Sequence, residues 1–168
     1  MHRDDRQTEI AREIVVEQEA DYVLALKGNQ GTLYEGVKDL FAYAQEVDYQ
    51  EIVSDFYQTV EKDHGRLEKR RYWTISEPEF IKYLDPTAKW TGLHRIGMVE
   101  AQRQIGQQIS TEVRYYISSL EGDAIQLAEA VRSHWEIENK VHWVLDVTFR
   151  EDECRVRKGY GAQNLAVV

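Results

Sequence analysis

The chain holds one cysteine, Cys154, in 168 residues. No internal disulfide can form, and a reducing, cytoplasmic setting is the expectation. Proline is almost as scarce, with only Pro78 and Pro86. There is no low-complexity tract and no internal repeat. No apolar run approaches the length of a membrane span, and no signal-peptide pattern opens the chain, so no membrane partner is expected. Basic residues are also in deficit: 21 Lys and Arg stand against 30 Asp and Glu, a net charge of -9. Phosphate contacts use Lys and Arg, so that sign argues mildly against a nucleic-acid binder. The deficit is uneven, however. "HGRLEKRRYW" (64–73) and "RVRK" (155–158) are local basic clusters.

The 42% hydrophobic fraction is ordinary for a globular protein, and the length suffices for one domain with a core. Ile10, Ile14 and Val15 predict a helix over 7–19. "DYVLALK" (21–27) suits a short buried strand, "GNQG" (28–31) a turn, and Leu33, Val37, Leu40 and Phe41 a helix over 32–45. Helix, buried strand and helix are the parts of an α/β layer. The middle changes character. Segments 51–60 and 66–75 read as strands around an Asp63-His64-Gly65 turn, and 92–104 and 110–120 as two more near Gly106. Connections this short favour antiparallel pairing. Helical periodicity then returns. Asp123 is a candidate N-cap with Gln126 closing a capping box, and Ile125, Ala128, Val131 and Trp135 form a stripe. One long helix over about 124–146 is expected, packed against the strand at 21–27.

Four places could carry chemistry. His134, Glu138 and His142 are spaced four apart and would share a helix side. A zinc-protease helix needs H-E-x-x-H, whereas Glu136 lies two after His134, so zinc is a poor reading. A helix facing a partly polar core explains the stripe as well. Lys27 and Asn29 in "KGNQ" could meet a phosphate, though a plain strand-to-helix turn is the commoner case and the P-loop spacing is absent. The segment with His64, Arg66, Lys69, Arg70 and Arg71, followed by Tyr72 and Trp73, could track a phosphate backbone or be a solvated edge strand. Cys154 has no partner at informative spacing and reads as structural or incidental.

"ADYVLALKGNQ" (20–30), "HGRLEKRRYW" (64–73), "YYISSL" (115–120) and "HWEIENKVHWVLDVTFREDECRVRKGYGAQNLA" (134–166) occur in that order. Together they resemble DDE-type insertion-sequence transposases, in the H-repeat-associated subgroup. The resemblance covers nearly the whole chain. It implies an RNase H-like α/β core, here partial, with a mostly antiparallel β insertion. The expected layout is a single domain over 1–168: an α/β part (1–50), the insertion (51–120), and a glutamate-bearing helix with a C-terminal segment (121–168). The resemblance further implies two aspartates and one glutamate holding two divalent ions, Mg²⁺ or Mn²⁺, for in-line displacement at DNA phosphate. Glu138 falls on the glutamate of the family's Y-x-x-R-x-x-x-E signature, with His134 on the Arg and Val131 on the Tyr. The subgroup's H-W-x-I-E-N form is intact. Glu138 is thus the expected catalytic and metal-binding residue. Lys27, Asn29, His64, Arg66, Arg70, Arg71 and His134 are the expected DNA-contacting set.

One departure lies at the start, "MHRDDRQ". The resemblance puts the second aspartate just before the 7–19 helix and the first on an earlier strand. Asp4 and Asp5 stand near the second place without a firm alignment. The expectation is a truncated transposase domain that binds transposon-end and target DNA, in a possible homo-oligomer, but is inactive alone. The alternative is a non-catalytic remnant that folds or associates without strand transfer.

Overall fold

The computed structural model describes residues 3–28 and 31–141, with side chains from Asp5 onward and up to Trp135. Helix α1 (Arg3–Arg12) runs into a π-helical turn at Glu13–Glu17, so the expected 7–19 helix begins earlier and ends in a widened turn. Then come β1 (Val23–Leu26), α2 (Thr32–Glu46), β2 (Ser54–Asp63), β3 (Arg66–Ile75), α3 (Pro78–Leu84), β4 (Arg95–Ile105), β5 (Gln108–Ser118) and α4 (Ala124–Val141). Sequence reading missed α3. Its Pro78 stands in the first turn, where the missing N–H costs nothing and φ is already helical.

The strands form one antiparallel sheet in the order β1-β5-β4-β3-β2. Segments 1–50 and 51–120 therefore share a sheet, since β1 pairs with the far end of the meander. Local chemistry explains the hairpins. The β2–β3 loop is His64-Gly65, both at positive φ (42° and 78°), as a type I′ turn requires. Gly106, at φ 61°, opens the two-residue β4–β5 loop.

Side-chain alternation divides the core between the two faces. On one face, Leu24, Leu26, Ile75, Ile96, Met98 and Ile117 meet Ala11 of α1 and Val37, Phe41 and Ala44 of α2. Tyr115 of β5 anchors α2, edge-to-face with Tyr34 at 5.6 Å between centroids. On the other face, Val23, Tyr72, Val99 and Tyr116 meet Ala124, Leu127, Ala128, Ala130 and Val131 of α4. Two carboxylates cap α4. Asp123 Oδ1 accepts from Gln126 N at 3.1 Å, the expected N-cap bond, and Asp55 Oδ2 on β2 accepts from Ala124 N at 2.8 Å.

One expected core residue of α4 is displaced. Ile125 is 45% exposed, and Leu127, two residues on, takes the inward place. The helix is rotated so that the close approach comes at Gly97, where a methyl group would lie 2.7 Å from Leu127 Cδ2. Residues 142–146 of the expected helix lie outside the described part. Among the described residues, no helix is long and apolar enough to cross a membrane.

Two stability outcomes follow. Gly97→Ala forces Leu127 to shift in a filled core and is expected to cost about 1–3 kcal/mol in urea unfolding. A double-mutant cycle with Leu127→Ala should show coupling between the sites; strict additivity would refute the contact. The second outcome concerns alkaline pH. Burial pushes the Tyr116 phenol up to about 12, and burial with the nearby Asp85 and Asp21 charges pushes Tyr22 higher still. Unfolded tyrosines ionise near pH 10, so above that pH the unfolded state holds fewer protons and stability falls. The urea midpoint is expected to drop steeply between about pH 10 and 12. Tyr116→Phe should shallow that decline; an unchanged slope would remove Tyr116 from it.

Candidate functional site

Helix α4 runs along the sheet, from Asp55 near the start of β2 at its first residue to Glu61 near the end of β2, where Arg132 Nη2 donates at 2.8 Å. Its second half therefore lies over the middle of the long strands. Trp135 sits there between two guanidinium groups. Arg70 of β3 is 5.2 Å from the ring centroid and Arg114 of β5 is 4.9 Å. Each such contact stabilises by about 0.5–1 kcal/mol at exposed sites, and more when desolvated. Position 138 comes two turns after Val131 on the same stripe, three residues beyond Trp135. The Glu138 side chain lies outside the described set.

Both clamping arginines are held by carboxylates. Arg114 Nε donates to Glu112 at 2.9 Å, and Arg70 Nη2 donates to Glu68 at 3.0 Å. Glu68 does more than pair with Arg70. Its Oε1 also takes Arg103 Nη2 of β4 at 3.0 Å and lies 3.3 Å from Arg66 Nε. At 13% side-chain exposure, this one carboxylate collects three arginines from two strands. The cluster keeps a surplus of positive charge on the α4 face. Arg66 and Arg103 remain about half exposed.

The expected DNA-contacting residues do not form one patch. Arg66 and Arg70, at even positions of β3, share the α4 face. Arg71 points to the opposite face, where Nη1 donates to Glu100 at 2.8 Å and Nε to Gln58 at 3.4 Å. His64 projects at the tip of the β2–β3 hairpin, with Nε2 3.1 Å from Asp63 Oδ1. Lys27 is exposed and follows Leu26, whose strand partner Tyr115 is the neighbour of Arg114. Half-buried His134 precedes Trp135 on α4. By register Lys27 falls level with Arg114 and Tyr72, two residues along the sheet from Arg70. Arg66 is farther out, four residues or roughly 13 Å along β3. Asn29 and His142 lie outside the described residues, as do Asp146 and Cys154.

Sequence reading missed Arg103, Arg114 and the hub at Glu68. The i, i+2, i+4 alternation of Arg66, Glu68 and Arg70 could have revealed the hub. The long-range partners Arg103 and Arg114 could not be found that way, because they depend on strand register.

The sequence profile of the Transposase DDE domain family matches residues 5–168. The chain belongs to the transposase DDE domain family. DDE transposase domains have an RNase H-like α/β fold, and this chain contributes a five-stranded antiparallel sheet with helices. It is 38% identical over 161 residues to the candidate H repeat-associated transposase YhhI of Escherichia coli (strain K12), covering 94% of this chain and 41% of that protein. The candidate transposase YncI of Escherichia coli O157:H7 is also 38% identical over 161 residues, with 40% of its length covered. The chain thus spans about two fifths of the curated relatives it matches. No solved structure matches it.

Metal chemistry needs several hard oxygen ligands close together. Among the described residues, no group of three or more His, Cys, Asp or Glu side chains is placed to hold an ion. Asp5 is exposed on α1, which joins the core on the sheet face opposite α4. The described residues alone do not fit a two-metal centre.

The Glu68 hub carries its own expected outcome. Glu68→Ala would leave three arginines together without their shared acceptor. We expect it to be destabilising in urea unfolding, and partly relieved by high salt, which screens the exposed arginines. A salt-independent loss would assign the effect to packing.

Proposed function

We propose that this chain supplies the glutamate-bearing part of a DDE transposase and takes part in DNA transposition. The observation that carries the reading is Glu138. It stands within an intact H-W-x-I-E-N sequence on a helix fixed to the sheet by Trp135, beside a surplus of arginine. In this reading Glu138 is one ligand of the Mg²⁺ or Mn²⁺ ions on which such domains depend, and the remaining ligands come from elsewhere. The ions supply activation of the attacking oxygen and stabilisation of the leaving one. DNA is the partner, bound through its phosphates by a charged arm, the outer halves of β2 to β5.

Charge distribution supports DNA at that arm. Residues 58–71 and 100–114 carry seven Lys and Arg against five Asp and Glu, in a chain of net charge -9. The acidic excess lies elsewhere. Arg66 and Arg103 are the best-exposed arginines of the cluster and are assigned to phosphate contact, with Arg70, Lys27 and His134 nearer the helix. Such contacts position the duplex without reading its sequence.

Replacing Arg66 and Arg103 together with Ala is expected to weaken binding to unrelated duplexes equally. The slope of log K against log salt should flatten by about 2. An unchanged slope in a gel-shift titration would remove the arm from the interface. Activity is a separate question. One glutamate does not complete a two-metal centre, and the described residues add no ligand set beside it. The isolated 168-residue chain with Mg²⁺ or Mn²⁺ is therefore expected neither to cleave nor to join transposon-end DNA. Metal-dependent strand transfer that is lost in Glu138→Gln would overturn this and would bring Asp5 or the C-terminal acids into the site.

A further inference from the structure

We infer that Trp135, gripped by Arg70 and Arg114, is a positioning residue that sets the place of Glu138 over the sheet. The inference rests on the catalytic reading of Glu138.

The geometry has three parts. First, among the described side chains of α4, which end at Trp135, Ala124, Leu127, Ala128, Ala130 and Val131 are buried. Those small and aliphatic side chains fix the helix over the part of the sheet that has a core on both faces. Around Trp135 the strands beneath carry Glu68 and Arg70 on β3 and Glu112 and Arg114 on β5, charged groups where the earlier turns of α4 meet apolar ones. Second, Trp135 is the large side chain that follows on the inward stripe, and it lies between guanidiniums from two different strands, β3 and β5. Those strands flank β4, so the indole is straddled from both sides. Lateral movement of the helix would take the ring off one arginine or the other. Third, each guanidinium is itself oriented, Arg70 by Glu68 and Arg114 by Glu112. A planar guanidinium held by a carboxylate is a fixed stacking partner, where a free lysine would not be. Glu138 follows within one helical turn, so a rigid Trp135 carries its backbone with it. Catalytic groups must be held to within a fraction of an ångström, and a support one turn away is the kind of contact that does so.

The test uses Trp135→Leu, Trp135→Phe and Arg114→Gln in this chain, with hydrogen exchange resolved along α4. Trp135→Leu is expected to speed exchange at residues 136–141 by more than tenfold while leaving 124–131 within twofold. Trp135→Phe keeps a ring for the arginines and should restore most of the protection. Arg114→Gln, on an exposed strand segment, should give an intermediate gain confined to 136–141. Uniform acceleration along α4 would make Trp135 an ordinary core residue and overturn the inference. No acceleration would overturn it as well. DNA affinity is measured in parallel: it should be unchanged by Trp135→Leu, and a loss that Trp135→Phe does not rescue would mean the indole touches DNA instead. Because exchange does not depend on chemistry, its outcome is independent of whether Glu138 is catalytic. That question is answered by Glu138→Gln in a strand-transfer assay in which the unsubstituted protein is active. Where that assay loses activity in Glu138→Gln, Trp135→Leu should lower kcat at least tenfold at unchanged KM for DNA.

Discussion

The seam between β1 and β5 is the constraint on which the molecule depends. It joins residues nearly a hundred positions apart, through only four paired residues on β1. Closing a chain loop of that length costs about 4 kcal/mol beyond a constant, more than so short a ladder secures unaided. Side chains reinforce it. Tyr22 N donates to Ser119 Oγ and Ser118 Oγ donates to Tyr22 O, both at 2.8 Å, while Ser119 Oγ donates to Asp21 Oδ1 at 2.9 Å. Hydrophobic burial then acts on both faces at once. Val23 joins the α4 cluster, and Leu24 and Leu26 join the α1–α2 cluster. Without the seam, β1 would lose its ladder partner, and α2 would keep only side-chain contacts to the meander, such as Tyr34 on Tyr115.

The same seam sets where the core stops. Strand β1 pairs with β5 only as far as Tyr115, and β5 from Gln108 to Arg114 is exposed throughout. The outer halves of β2 to β5 form an arm with no helix on the α1–α2 side. There the strands use charge in place of apolar packing, with Glu68 and Glu100 each holding arginines from neighbouring strands. Alternation then decides which arginines can cooperate. Arg70 and Arg71 are adjacent in sequence and on opposite faces, whereas Arg66, Arg70, Arg103 and Arg114 come from three strands and share one.

Much of the fold was legible because its signals are local. Period-2 strands, the His64-Gly65 turn, the Asp123 cap and the stripe through Val131 each act within a few residues. What was hidden depends on placement in space. The pairing of β1 with β5 left no mark in either segment. Ile125 satisfied the helical period as well as Leu127 does, and only the absence of a side chain at Gly97 turned the helix toward Leu127. The short helix after Pro78 was missed because one turn and a half carries too little periodicity to register. For the candidate site, strand register alone revealed that Arg70 and Arg114 meet the Trp135 ring.

Helix α4 crosses the boundary between these two halves of the sheet. Its first turns lie on a core buried from both sides, and its later turns lie beside the charged arm. In the proposed reading Glu138 meets DNA, and a carboxylate with that role cannot sit inside the core, where desolvation would neutralise it. Nor can it ride on an unsupported surface helix, where its position would wander by more than the chemistry tolerates. The boundary satisfies both requirements. Leu127 and Val131 hold the first half of the helix on the core, and Trp135 adds a support between Arg70 and Arg114, three residues before position 138. The helix changes environment along its length, from Leu127 and Val131 over the apolar core to Trp135 beside Arg70 and Arg114, and its composition changes with it.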